Sequence, residues 1–89
     1  MPRRPENRPV RLSKHAQERV DAGEVRLDWI EATVRHPAQT QADPRRPGVT
    51  LSFRRIQEFG NRALRVAHRS DGTDVLIITA FFDRGARLR

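Results

Sequence analysis

Residues 75–82 read V-L-I-I-T-A-F-F and are apolar except for Thr79. A short apolar run rich in β-branched and aromatic residues is typical of a strand covered on both faces. Asp71-Gly72, a common hairpin turn pair, precedes the run. The sequence therefore predicts a strand over residues 74–82 that is the central and most deeply buried strand of a sheet.

Two further β-rich runs precede this strand, over residues 49–59 and 62–69. The pair Gly60-Asn61 separates them and is a second hairpin signal. Because each turn is short, consecutive strands should pair antiparallel as a meander. Residues 38–48, A-Q-T-Q-A-D-P-R-R-P-G, are polar and punctuated by proline, so the sequence predicts a loop there.

Two helical patterns lie upstream of the strands. Ser13 suits a helix N-cap, and residues 14–22 carry an apolar stripe that ends before Gly23. Residues 27–35 show apolar spacings of three and four and end before Pro37. The predicted fold class is α+β, with two N-terminal helices packed on a three- to four-stranded antiparallel sheet.

A length of 89 residues allows a single domain. We expect a flexible basic arm over residues 1–9, the domain over residues 10–84 and a basic tail over residues 85–89. Residues 10–12 fit either a very short strand or the lead-in to the first helix. The chain holds no cysteine, no bilayer-length apolar run and no secretory signal, which together predict a cytoplasmic protein without membrane contact.

The chain is strongly basic, with 18 basic and 11 acidic residues and a formal charge of +7. Every basic residue except Lys14 is an arginine, whose planar guanidinium suits bidentate phosphate contacts and stacking on bases. This balance favours a nucleic-acid partner. A GC-rich genome would explain the choice of arginine over lysine, although it would not explain the net excess.

His15 lies in the first turn of the predicted first helix, with Arg19 one turn later on the same side. Backbone N–H groups at a helix start favour an anion, so the pair is a candidate phosphate site with an imidazole for proton transfer. The alternative is a boundary histidine packed against a strand. The spacing alone leaves both open.

Strand alternation places Arg65 on the face opposite the apolar Leu64 and Val66. Arg54, Arg65 and Arg69 are candidates for a shared basic face that binds nucleic acid, and Arg55 replaces or joins Arg54 depending on the register. Thr79, polar within the most apolar strand, either satisfies its hydroxyl locally or serves a site.

The sequence carries no metal-ligand spacing, since His15, His36 and His68 are isolated, and it lacks phosphate-loop, nucleophile-elbow and dinucleotide motifs. We therefore expect no cofactor. RNA cleavage fits that restriction, because the substrate supplies its own nucleophile in the 2′-hydroxyl and the protein need only transfer protons and stabilise charge.

The string S-K-H-A-Q-E-R at residues 13–19 and the later L-R-V-A-H-R-S-D-G-T-D-V-L-I-I-T-A resemble a small family of bacterial domains. Its pattern is S/T-x-H-A-x-x-R, followed by an x-R-V strand, a D-G turn and a closing I-T strand. That family is similar to the RelE/ParE and BrnT toxins of the barnase–EndoU–colicin–RelE (BECR) fold. The resemblance spans residues 12–80.

The resemblance implies a metal-independent ribonuclease-like domain, the toxin of a toxin–antitoxin pair. By position, His15 would transfer the proton beside Arg19, Arg65 would steady the scissile phosphate and Thr79 would lie at the floor of the site. Related sequences carry an arginine and a glycine before the second helix, where this chain has A-G-E-V.

Together with the basic charge, the resemblance thus implies a metal-independent ribonuclease that acts on RNA, including RNA on the ribosome, and is held by an acidic antitoxin protein. One alternative is a non-catalytic module that binds nucleic acid or the ribosome. Another is a toxin-like scaffold that binds a protein. The ribonuclease hypothesis requires the imidazole of His15 and the guanidinium of Arg65 to converge on one concave site.

Overall fold

The computed structural model of the protein describes residues 8–88. In chain order its elements are β1 (Val10–Leu12), α1 (Lys14–Asp21), α2 (Leu27–Arg35), β2 (Gln39–Ala42), β3 (Thr50–Ile56), a 3₁₀ turn (Gln57–Phe59), β4 (Arg62–Asp71) and β5 (Asp74–Phe82). Among the described residues, neither helix is long and apolar enough to cross a lipid bilayer.

The strands form one five-stranded sheet in the order β1-β5-β4-β3-β2. Strands β2 to β5 pair antiparallel, and β1 pairs parallel with β5, with Leu12 opposite Ile77. Strand β5 is therefore interior to the sheet, flanked by β4 and β1, but the central strand is β4, so the prediction that β5 is central and most deeply buried was wrong. The predicted bounds of β5 and α2 match the observed ones.

The predicted fold class is wrong in two respects. The sheet has five strands and is mixed, whereas we expected a three- to four-stranded antiparallel sheet. The helices lie in the chain between β1 and β2, so they connect strands and do not simply precede the sheet. The physical reason is that β1 exists through its pairing with β5, Val10 with Val75 and Leu12 with Ile77, and no local pattern in the sequence signals so distant a contact.

The loop predicted over residues 38–48 was also wrong in part, because residues 39–42 form strand β2. All four of its residues are exposed, and the strand is held by its ladder to β3, with Gln39 opposite Phe53. A polar edge strand of this kind shows no alternation of apolar and polar side chains. In addition, residues 57–59, expected to extend β3, form the 3₁₀ turn.

Helix α1 begins as Ser13 predicts. The Ser13 Oγ accepts a hydrogen bond from the backbone N of Ala16 at 3.1 Å and donates one to the carbonyl of Ile78 at 2.7 Å. One side chain therefore caps the helix and ties it to β5. Behind the cap, Ala16 is fully buried against the sheet.

The two faces of the sheet carry separate apolar clusters. On the helix face, the helices bury a cluster that includes Ile30, Leu64 and Ile77. On the opposite face, which we call the open face, a smaller cluster is built on Leu51 and Phe53. Successive side chains along β3 and β4 therefore point alternately to the helix face and to the open face, and this alternation determines on which face each polar side chain lies.

The first and last described residues, Arg8 and Leu88, contact the sheet. Of the basic arm predicted over residues 1–9, residues 1–7 lie outside the described part, but Arg8 donates hydrogen bonds to the carbonyls of Gly72 and Asp74 in the β4–β5 turn. Of the predicted tail, Ala86 and Leu88 pack against the open-face cluster, and residue 89 lies outside the described part.

Candidate nucleic-acid interface

Three arginines from different elements line one depression at the end of the β3–β4 hairpin. Arg55 comes from β3, Arg62 from the start of β4 and Arg84 from the segment after β5, and together they line a cavity of about 400 Å³. We call this depression the arginine cleft. The backbone of Gly60 and Asn61 forms part of its wall.

The turn between β3 and β4 shapes the cleft. β3 and β4 form the predicted hairpin, but residues 57–61 connect them and not Gly60-Asn61 alone; Gly60 and Asn61 follow the 3₁₀ turn and both adopt positive φ, 64° and 57°. The Nη1 of Arg55 then donates to the Asn61 carbonyl at 3.2 Å, and its Nη2 donates to the Leu88 carbonyl at 3.5 Å. The guanidinium is therefore held in place across the cleft.

The positive charge of the cleft is weakly compensated. Within residues 8–88, no carboxylate oxygen lies within 4.0 Å of the guanidinium nitrogens of Arg55, Arg62 or Arg84. Asp83 is the one acidic residue of the cleft lining, and its carboxylate accepts from Arg65 at 3.5 Å and from the backbone N of Gly85 at 2.9 Å. The three arginines thus face solvent as an unneutralised group.

An aromatic cluster borders the cleft. The rings of Phe59 and Phe82 lie 4.6 Å apart between centroids, and Trp29 lies 5.6 Å from Phe59. Phe59 is 40% exposed, and the guanidinium of Arg62 lies 5.2 Å from its ring centroid. Because Phe82 also lines the cleft, the aromatic and basic surfaces are continuous.

Of the residues predicted to bind nucleic acid, Arg54 and Arg55 lie at the end of the β3–β4 hairpin, and Arg69 lies at the opposite end of β4. Arg55 lines the arginine cleft, and Arg54, on the helix side of the same strand, lines a shallow depression that shares Arg55 and Asn61 with it. The Nη1 of Arg54 donates to the His36 carbonyl at 2.7 Å. Arg69 lies at the far end of β4 and contributes to a different cavity.

His15 and Arg19 lie side by side on α1. The Nε of Arg19 donates to the Nε2 of His15 at 3.2 Å, and its Nη1 pairs with Glu24 at 3.2 Å. The imidazole is exposed, so the alternative of a histidine packed against a strand is wrong. Arg19 is half-buried, and both side chains belong to α1, whose Ala16 packs on the helix face of the sheet.

Arg65 and Thr79 lie on the open face, on the other side of the sheet from α1. Register pairs Arg65 with Phe53 and Thr79 with Ala67, both of which are in the open-face cluster. The Arg65 guanidinium lies 5.3 Å from the Phe81 ring centroid and pairs with Asp83. The structure therefore does not bring the His15 imidazole and the Arg65 guanidinium into one site.

Phe59, Arg62 and Arg84 had no sequence signal strong enough to assign them a role. Phe59 appeared to continue strand β3, and Arg62 and Arg84 were two of many arginines. The helical turn after β3 and the packing of the chain after β5 bring them together, and both depend on tertiary contacts.

In the part of the chain that the structure describes, no group of three or more His, Asp or Glu side chains is placed to hold a metal ion. Comparisons of the chain with protein-family models, with curated proteins and with solved structures give no match. The fold defines a small α+β protein with a basic cleft beside an exposed aromatic ring, and the resemblance to toxin domains stays a prediction.

Proposed function

We propose that the protein binds single-stranded RNA through the arginine cleft and the adjoining ring of Phe59. The observation that carries this proposal is the contact of an exposed ring with a cleft that holds three arginines free of carboxylate partners in the described chain. Proteins that bind single strands combine these two features, a basic groove for the phosphates and aromatic rings on which bases stack.

The geometry favours a single strand over a duplex. A stacked base needs access to the face of an aromatic ring; Phe59 is 40% exposed, and a base would stack on it by displacing the Arg62 guanidinium, which lies 5.2 Å from the ring centroid. The phosphates on either side of that base would lie near Arg62 and Arg84. A cytoplasmic location is part of this proposal. RNA is the main single-stranded nucleic acid in the cytoplasm, so we propose RNA and not DNA as the ligand.

The test is fluorescence anisotropy of labelled oligonucleotides with the full chain and with Phe59→Ala. Loss of one stacked base should weaken binding by about 1–3 kcal/mol, about 5- to 150-fold. Leu27→Ala is a matched control, since Leu27 is 42% exposed and lies on α2, outside the cleft lining. It should leave the affinity unchanged.

Two results would exclude the proposal. Equal affinity for a duplex and for a single strand would show that no base stacks on the protein. Equal loss in Phe59→Ala and Leu27→Ala would show that the effect does not come from the cleft. Parallel titrations with DNA of the same sequence establish whether the 2′-hydroxyl contributes.

Metal-independent cleavage of RNA is the second candidate, in a form that uses the exposed imidazole of His15 and its neighbour Arg19 without Arg65, which lies on the other side of the sheet. The Nε of Arg19 donates to the Nε2 of His15, so an imidazole, the group that would take the proton of a 2′-hydroxyl, lies beside a guanidinium. Arg19 would then be positioned to contact the phosphate.

Incubation of RNA with the protein in excess chelator tests this candidate. Cleavage should disappear in His15→Ala and in Arg19→Ala and persist in Arg65→Ala, because Arg65 lies on the other side of the sheet. RNA that stays intact with the unaltered protein, or equal cleavage by His15→Ala, would rule it out.

An acidic antitoxin protein, the partner that the resemblance implies, remains part of the proposal. It would neutralise an arginine surface by complementary charge. Induced expression in a bacterium should then slow growth. Phe59→Ala should restore growth if RNA binding by the cleft is responsible, and His15→Ala should restore it if RNA cleavage is responsible.

A further inference from the structure

A second cavity lies on the helix side of the sheet, between the end of α2 and strands β3 and β4. Its volume is about 350 Å³, and its lining includes Ser52 of β3 and His68 of β4. We call it the Ser52–His68 pocket. Even-numbered residues of β4 face the helices, as Leu64 and Val66 do, so His68 points to the same side.

A buried hydrogen bond forms the floor of this pocket. The Oγ of Ser52 lies 2.7 Å from the Nε2 of His68, and Ser52 is only 1% exposed. Burial lowers the pKa of His68 below its ordinary value, which favours the neutral imidazole near neutral pH. The pair therefore supplies polar groups to the pocket without adding a charge.

The charge of the pocket comes from three arginines. Arg8, Arg35 and Arg69 line it, and no carboxylate-bearing residue does so in the part of the chain described. Arg35 pairs with Glu31 at 3.4 Å and also donates to the Arg8 carbonyl. A net positive charge of this kind attracts an anion.

The arginines are held by the fold. Arg8 donates from Nε, Nη1 and Nη2 to the Thr73 carbonyl, the Ser70 hydroxyl and the Gly72 and Asp74 carbonyls. This fixes its guanidinium over the β4–β5 turn. Arg69, an odd-numbered residue of β4, leaves the strand on the side opposite His68, so it contributes to the rim of the pocket; it is exposed, and its Nη1 donates to the Ser70 carbonyl at 3.3 Å.

Hydroxyl groups complete the lining. Four residues with hydroxyl groups line the pocket: Thr40, Thr50, Ser52 and Ser70. A tetrahedral oxyanion has several acceptor oxygens and is recognised by hydroxyl and guanidinium donors arranged around it. The wall beside α2 is apolar and includes Val34 and Pro37, so part of the pocket suits a carbon group.

We propose that the Ser52–His68 pocket binds a phosphomonoester, with the phosphate near the arginines and hydroxyls and the organic group against the α2 wall. This site is separate from the arginine cleft, and the two share no lining residue. The inference therefore does not depend on RNA binding by the cleft.

Nuclear magnetic resonance of the ¹⁵N-labelled full chain tests the proposal, with inorganic phosphate and adenosine monophosphate as separate titrants. We expect saturable shifts of the His68 imidazole and of amides around residues 50–52 and 68–70. Adenosine monophosphate should bind more tightly than phosphate because it also contacts the α2 wall. Acetate, with one charge and a planar carboxylate, should bind weakly.

Three variants locate the site. Ser52→Ala and Arg69→Gln should each weaken phosphate binding by about tenfold, the effect of losing one charge-assisted hydrogen bond. Arg69 is exposed, so its variant keeps the test valid if Ser52→Ala fails to fold. His36→Gln, at an exposed histidine outside the pocket lining, is the control and should bind normally.

Shifts without saturation, shifts confined to the arginine cleft, or an unchanged affinity in Arg69→Gln would overturn the proposal. Paired oligonucleotides with a 5′-phosphate and a 5′-hydroxyl distinguish the source of the ligand. If the phosphomonoester is an RNA terminus, the 5′-phosphate strand binds more tightly, and Arg69→Gln removes the difference. If it is a free small molecule, the two strands bind alike.

Discussion

Salt dependence gives a direct measure of how many arginines contact phosphate. Each phosphate neutralised on a single strand contributes about 0.7 to the slope of log affinity against log salt. Arg55, Arg62 and Arg84 line the cleft together. Three contacts therefore give a slope of about −2, so the affinity should fall about 20-fold between about 50 mM and about 200 mM salt.

Single substitutions separate these contributions. Arg55→Ala, Arg62→Ala and Arg84→Ala should each reduce the slope by about 0.7 and weaken binding most at low salt. Arg11→Ala removes the same formal charge from β1, where the arginine pairs with Asp71 and Asp74. Its slope should match that of the unaltered protein, since this arginine is already neutralised and lies outside the cleft lining.

The assay is anisotropy of a labelled oligonucleotide at several salt concentrations, with thermal unfolding of each variant as a check on folding. Phosphate contact by the cleft arginines is refuted if Arg11→Ala lowers the slope as much as the cleft variants do, because net charge and not position would then govern binding. It is refuted equally if all three cleft variants keep the full slope.

Three further predictions concern stability. Leu64→Ala should destabilise the protein by about 2–5 kcal/mol in denaturant unfolding, since Leu64 is 0% exposed, and a smaller loss than from Leu27→Ala would contradict the core assignment. Because burial lowers the pKa of His68, the unfolded chain binds more protons than the folded chain as pH falls below about 6.5. Stability should therefore decline with acidification, and less so in His68→Gln. Gly72→Ala should cost about 1–2 kcal/mol because its φ is 63°, whereas Gly85→Ala, without that constraint, should be close to neutral in thermal unfolding.

The strands with apolar sequence were predictable because their pattern is local. Residues 75–82 identify β5 by composition, and the bounds of α2 follow from apolar spacing before Pro37. Strand β2 was missed because its polar residues are exposed and it exists only through its ladder to β3. The parallel pairing of β1 with β5 joins residues about 65 positions apart, and no local pattern signals it.

The site shows the same division. Alternation along β4 correctly separates Arg65 from Leu64. The same alternation places His68 on the helix side, but from the sequence we considered His68 only as a metal ligand and so did not assign it to this face. The extra residue in β5 near Ile78 shifts the register between Ala67 and His68, which alternation does not reveal. The position of His15 relative to the sheet depends on how α1 packs. The sequence separation of His15 and Arg65 therefore could not show that the two side chains lie apart.

Mapping the bound nucleic acid onto the protein tests whether single-stranded RNA binds at the arginine cleft and Phe59. A short single-stranded RNA is titrated into ¹⁵N-labelled protein, and the amide shifts are assigned to residues. The account predicts saturable shifts clustered at residues 55, 59–63 and 82–86, around the arginine cleft and Phe59. Shifts confined to α1, or distributed evenly over the basic surface, would contradict it.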